Sequence, residues 1–258
     1  MEDLPMKPKD LPMKSGSPAA AYFTAACLIA SIGSFSAPPA LAYDEVPAVA
    51  GGGTVSGQVL FHGTVPTRQI IPNKDVETCG GPREDALIDV GPGQGVANTL
   101  VYLADVGKGK PWPAATKQRL VNHKCRFEPE MQVIRAGDID IVNKDPVLHN
   151  THGYYGRRTA FNTALPNQDQ SVTTELLKTG TVRVDCDAHG WMEGWIFVRD
   201  NPYYAVTGPD GKFSIADVPP GTYKLVILQP YSKLIEQSVT VGSGKSGDLS
   251  FELEPLPQ

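Results

Sequence analysis

The chain has 258 residues, 41% of them hydrophobic, and a formal net charge of -5, which allows one large domain or two small ones, each with a core of its own. With 28 acidic against 23 basic side chains, it carries no basic surplus of the kind that holds a nucleic acid, and that class of partner is excluded.

In chain order, Met1 to Lys14 carries Lys7, Lys9 and Lys14, AAAYFTAACLIASIG follows as an apolar run, and APPALA ends in small residues at Ala40 and Ala42. This order predicts an export signal over 1–42, cut after Ala42, with Met13 as an alternative start. An uncleaved membrane anchor is the competing reading, and the apolar run is shorter than the ~20 residues a spanning helix needs. Beyond the cut the net charge is still -5, and Cys79, Cys125 and Cys186 remain, an odd count for an oxidising compartment.

Residues 43–53 (YDEVPAVAGGG) read as a flexible lead-in. After them come short alternating runs: VSGQVLF at 55–61, NTLVYLADV at 98–106, GDIDIVN at 137–143, TVRVDC at 181–186, GKFSI at 211–215 and TYKLVIL at 222–228. Each is bounded by Gly, Pro, Asn or Asp, as strands are. With 26 glycines and 23 prolines, the turn load fits sandwiches and barrels, and the predicted class is all-β.

Composition breaks at GKGKPWPAAT (107–116) and VRDNPYYAV (198–206) bound a middle segment. TGPDGKFSIADVPPGTYKLVIL resembles the closing half of a carboxypeptidase regulatory-like, transthyretin-type sandwich. VSGQVLFHGTVP with ANTLVYLADV is similar to its opening half. The resemblance implies a discontinuous outer sandwich, 54–108 with 202–254, into which 112–200 is inserted, as surface loops permit. Two consecutive domains or one fused sandwich are the alternatives.

The middle segment holds the chemistry. In TVRVDC the side chains of Val182, Val184 and Cys186 share one face, so the thiol points inward at the strand's end. The following turn, CDAHGWM, adds His189 and Met192, and NKDPVLHNTH supplies His149 after a strand end and an Asp145-Pro146 turn. Two imidazoles, one thiolate and one thioether form a trigonal set with a weak axial ligand, a set that selects copper. Zinc can use these donors too, but it favours four strong donors or an open water position.

Residues 118–200 resemble the cupredoxin (blue copper) family, and the Cys-x2-His-x2-Met spacing is similar to the amicyanin loop. The resemblance implies one type 1 copper, with His149, Cys186 and His189 as equatorial ligands and Met192 as the axial one. It further implies that Asn150 ties the two ligand loops together, and that the outer edge of His189 is the electron port, framed by an apolar patch to which Trp191 contributes. Ala188 departs from the family, which commonly has proline before the second histidine. His152 is either an alternative ligand or a polar residue near the site. Asp187, next to the cysteine, adds negative charge that favours Cu(II), so an Asp187→Asn variant should titrate at a higher potential; an unchanged potential would refute that role.

Cys79 and Cys125 either pair, leaving Cys186 as the free thiolate, or remain two buried thiols. His62 and His123 fall near turns or strand ends and are read as facing solvent. The implied function is one-electron transfer rather than catalysis, with an exported dehydrogenase or cytochrome c as partner. Five histidines cannot supply the further sets of multicopper oxidases or copper nitrite reductases, and one loop cysteine cannot build a binuclear centre. With only Met131 and Met192 beyond the cut, copper trafficking is disfavoured. The rival reading is an extracytoplasmic binding module with a structural or vestigial metal site.

Overall fold

The structure is a computed structural model that describes residues 43–114 and 117–257, apart from the side chains of 245–247. The expected export signal lies outside the described residues. Among them the chain is all-β, with one four-residue helical turn at Val76–Cys79 and one short 3-10 turn. No described helix is long and apolar enough to cross a membrane.

The alternating runs become strands because every second side chain finds a core. Along Gly180–Cys186, Val182, Val184 and Cys186 are buried while Arg183 is exposed, the period of two that a half-buried sheet imposes. This strand lies at the centre of a five-stranded sheet, ordered Arg158–Leu165, His149–Tyr155, Gly180–Cys186, Glu193–Arg199 and Met131–Arg135. A four-stranded sheet, ordered Ser171–Leu176, Gly137–Asn143, Arg119–His123 and Arg126–Glu128, supplies further side chains to the same core. Between them Leu120, Ile139, Ile141, Leu165, Leu176, Val182 and Ile196 form one buried cluster. Each such side chain stabilises by roughly 1.5–3 kcal/mol over an exposed one.

A second cluster is built around Val55, Val59, Val101, Leu103, Tyr203, Ile215, Leu225 and Ile227. Its sheets are ordered Tyr204–Val206, Leu100–Ala104, Gly221–Leu228, Ile235–Val241, and Lys212–Val218, Gly53–Leu60, Gly244–Glu252. Strands from before residue 107 pair here with strands from after residue 203: Leu100–Ala104 lies between Tyr204–Val206 and Gly221–Leu228. Gly57 allows the close approach of the Gly244–Glu252 strand, since a Cβ there would sit 2.3 Å from the Leu249 carbonyl oxygen.

Residues between these strands do not all serve the second cluster. Thr67–Ile70 and Arg83–Ala86 form an antiparallel hairpin of their own, with Val76–Cys79 between them. This excursion leans on the first cluster: Arg68 pairs with Glu193 at 2.7 Å, Arg126 with Asp85 at 3.1 Å, and Cys79 is bonded to Cys125. Alternation alone does not reveal this, because a hairpin exposed on one face reads the same whichever neighbour it covers.

Candidate metal centre

Sheet register brings the donors together. Thr151 is paired opposite Cys186, and His149, two residues before Thr151, shares its inward face and lies beyond the thiol at the sheet's end. The loop after Cys186 folds back on itself, with His189 N–H donating to the Cys186 carbonyl at 3.1 Å and Met192 N–H to the His189 carbonyl at 2.9 Å. Successive i to i+3 bonds return every third side chain to one side, which is the physical sense of the Cys-x2-His-x2-Met spacing. Asp187 N–H donates to the Asn150 carbonyl at 2.9 Å, joining this loop to the His149 strand.

Three donor atoms converge. Cys186 Sγ lies 3.7 Å from His149 Nδ1 and 3.8 Å from His189 Nδ1, and the two imidazole nitrogens are 3.1 Å apart. His149 and His189 are fully buried and Cys186 is 1% exposed. Met192 is buried in the same cluster as Cys186.

Behind each ring stands a carboxylate. His149 Nε2 is 2.9 Å from Asp145 Oδ2, and His189 Nε2 is 2.9 Å from Asp75 Oδ2. A carboxylate there takes the ring's Nε2 proton as a hydrogen-bond partner and leaves Nδ1 a bare acceptor. Two such lone pairs facing each other at 3.1 Å repel unless a cation, a proton or a metal ion, lies between them. Burial pushes His149 below its ordinary value against the opposing pull of Asp145, so this imidazole favours its neutral form. Burial likewise pushes the Cys186 thiol up, against lowering contributions from the backbone N–H groups of Asn150, His189 and Ala188. A thiolate in this place therefore calls for a positive partner. The donor set fits a soft or borderline metal ion.

Asp145 is more than a turn residue. It is 3% exposed and also accepts from Lys124 N–H at 2.7 Å and Cys125 N–H at 2.9 Å. Asn143, fully buried, holds the turn: its side-chain oxygen accepts from Asp145 N–H, and its amide donates to the carbonyls of Val147 and Leu165, each at 2.9 Å. The spacing of Asp145 four residues before His149 is the sequence signal that could have marked it.

The remaining expected residues fall as follows. Asn150 joins the loops through its backbone, while its side-chain amide reaches Asp187 only at 3.4 Å. His152 points away from the three donors, as its odd spacing from His149 requires; it bonds Asp187 at 3.0 Å and Thr159 at 2.9 Å. Trp191 packs on His189 with ring centroids 5.1 Å apart. His62 is exposed and His123 half-buried, and they pair with Glu252 and Glu128. The expected electron port differs: the outer edge of His189 is covered by Asp75, because the excursion that carries Asp75 folds over this end of the sheet.

No family model and no curated protein matches this chain. Among solved structures, it is similar to a reduced proline-to-phenylalanine variant of amicyanin, at 19% identity and a TM-score of 0.30, over 34% of this chain and 86% of that one. A purple cupredoxin from Nitrosopumilus maritimus aligns at 19% identity and a TM-score of 0.29, over 32% of this chain and all of that one. A copper-containing nitrite reductase from Thermus scotoductus SA-01 aligns at 20% identity and a TM-score of 0.30, over 34% of this chain and 23% of that one. The match thus spans less than a quarter of the reductase.

Proposed function

We propose that this chain holds one copper ion between His149, Cys186 and His189, with Met192 as the weak fourth ligand, and passes single electrons between redox proteins such as a dehydrogenase and a cytochrome c. The observation that carries the reading is the pair of imidazole nitrogens facing each other at 3.1 Å beside one thiol sulfur, with a carboxylate behind each ring. Copper in such a set supplies one-electron oxidation and reduction.

The protein's own residues do the rest. Asp145 and Asp75 hold the two rings with Nδ1 turned inward, and the burial of Cys186, His189 and Met192 keeps water from the donors. With Met192 as fourth donor the protein itself would complete the donor set without a substrate, which favours electron carriage over catalysis. On this reading 112–200 is a cupredoxin-like domain inserted in a transthyretin-type sandwich of 54–108 and 202–254, and the protein works outside the cytoplasm once 1–42 is removed.

The test is the visible and EPR spectrum of the Cu(II)-loaded protein beside a Cys186→Ala variant. The expected result is an intense thiolate-to-copper band in the parent that is lost in the variant. Copper uptake without that band, or tighter binding of zinc, would turn the assignment to a structural site in a binding module.

A further inference from the structure

The Asp75 carboxylate stands where the outer edge of His189 would otherwise meet solvent, and nothing in its local sequence explains why it is there. Asp75 occupies the N-cap position of the Val76–Cys79 turn, yet its side chain makes no capping hydrogen bond. An aspartate at this position ordinarily turns its oxygen to the helix N–H groups. Here Oδ2 meets His189 Nε2 at 2.9 Å instead, across 114 residues of sequence. The backbone of Asp75 is in the left-handed region, φ 52 and ψ 33, a conformation uncommon outside glycine, though less so for aspartate, and one that carries a cost. The turn is pinned behind it by the Cys79–Cys125 bond, and Cys125 N–H donates to the same Asp145 oxygen that meets His149. One covalent bridge therefore links the supports of both imidazoles.

We propose that Asp75 is a positioning residue of the metal centre, supplied by a segment outside the five-stranded sheet that carries the donors. It selects the His189 tautomer that aims Nδ1 at Cys186, and it places a negative charge, 37% exposed, at the surface end of the ring. A carboxylate behind a ligating imidazole raises its basicity and favours the more highly charged ion. The chain thereby replaces an open ring edge with a carboxylate, and electrons leaving through His189 pass this cap. The part of the proposal that concerns copper rests on the reading of the site as a copper centre; the tautomer does not.

The test uses the full chain with its disulfide intact, as parent, Asp75→Asn and Asp75→Ala. Nitrogen-15 NMR of the metal-free protein, labelled at histidine, reads the tautomer without any metal. His189 should carry its proton on Nε2 in the parent, exchange it slowly, and lose that protection in Asp75→Ala. A parent His189 protonated on Nδ1 alone, or an Asp75→Ala spectrum unchanged at His189, overturns the proposal whether or not copper binds. In the copper-loaded protein Asp75→Asn keeps an oxygen acceptor but removes the charge. Its Cu(II) affinity should fall about tenfold against Cu(I), a rise in potential of about 59 mV for one electron. A thiolate-to-copper band with no rise in potential in Asp75→Asn refutes the charge role, whereas absence of that band in the parent refutes the copper reading and leaves the tautomer result to decide the positioning.

Discussion

Replacing Asp145 with alanine is expected to cost about 3–5 kcal/mol in chemical denaturation, more than loss of any surface ion pair in the molecule. The carboxylate is 3% exposed and serves three donors: the N–H groups of Lys124 and Cys125 and the Nε2 of His149. His149 and Cys125 are themselves fully buried, so water cannot take over as acceptor at those two partners without opening the site. Each stranded buried donor costs about 1–3 kcal/mol. Asp145→Asn keeps one oxygen and turns an amide donor toward groups that also donate, so it should fall between parent and alanine. Metal affinity should drop about 10–100-fold in either variant. A loss of less than 1 kcal/mol in Asp145→Ala would mean that these bonds are not what holds the His149 turn.

Much of this centre could be read from the sequence because its donors lie at the ends of periodic elements. Val182, Val184 and Cys186 alternate, His189 and Met192 follow at intervals of three, and each choice of face follows from strand or turn geometry. The strands at 137–143 and 181–186 fall where alternation put them, since both faces of that alternation find a core or solvent. The supports of the rings were not legible in the same way. Asp145 precedes a proline and has the composition of a turn, and its role depends on two N–H groups from a strand connection about 20 residues away. Asp75 lies 114 residues from its partner and reaches it only because the excursion folds over the other cluster. Periodicity reports which face of an element is buried, and it is silent on which carboxylate meets which ring. The exposed edge of His189 is implied by the family resemblance alone, and there the structure has a cap.

Loss of the Cys79–Cys125 bond should destabilise the protein by about 4 kcal/mol on chain entropy alone, since it closes a loop across 46 residues. The effect should be uneven across the molecule. The four-residue turn that carries Asp75 is too short to hold itself together as a helix; its own bonds are those from Thr78, Cys79 and Gly80 back to Asp75 and Val76. Without the bridge, the amides of 78–80 should exchange faster by a large factor and His189 should lose its outer partner. Asp145 should keep Lys124 N–H and His149, because the Arg119–His123 strand that leads to Lys124 stays paired with Gly137–Asn143. A double Cys79→Ala, Cys125→Ala variant, compared with the parent under oxidising conditions, separates the two supports: hydrogen exchange at 78–80 reads one and exchange at Lys124 and Cys125 reads the other. Equal acceleration at both would show that the bridge holds the whole end of the sandwich. No acceleration at 78–80 would show that the pairing of Arg68 with Glu193 and of Asp85 with Arg126 is enough to hold the excursion over the candidate donor residues. The uneven outcome is expected because the bridge is the one covalent tie on the Asp75 side, whereas the Asp145 side is also anchored in a sheet.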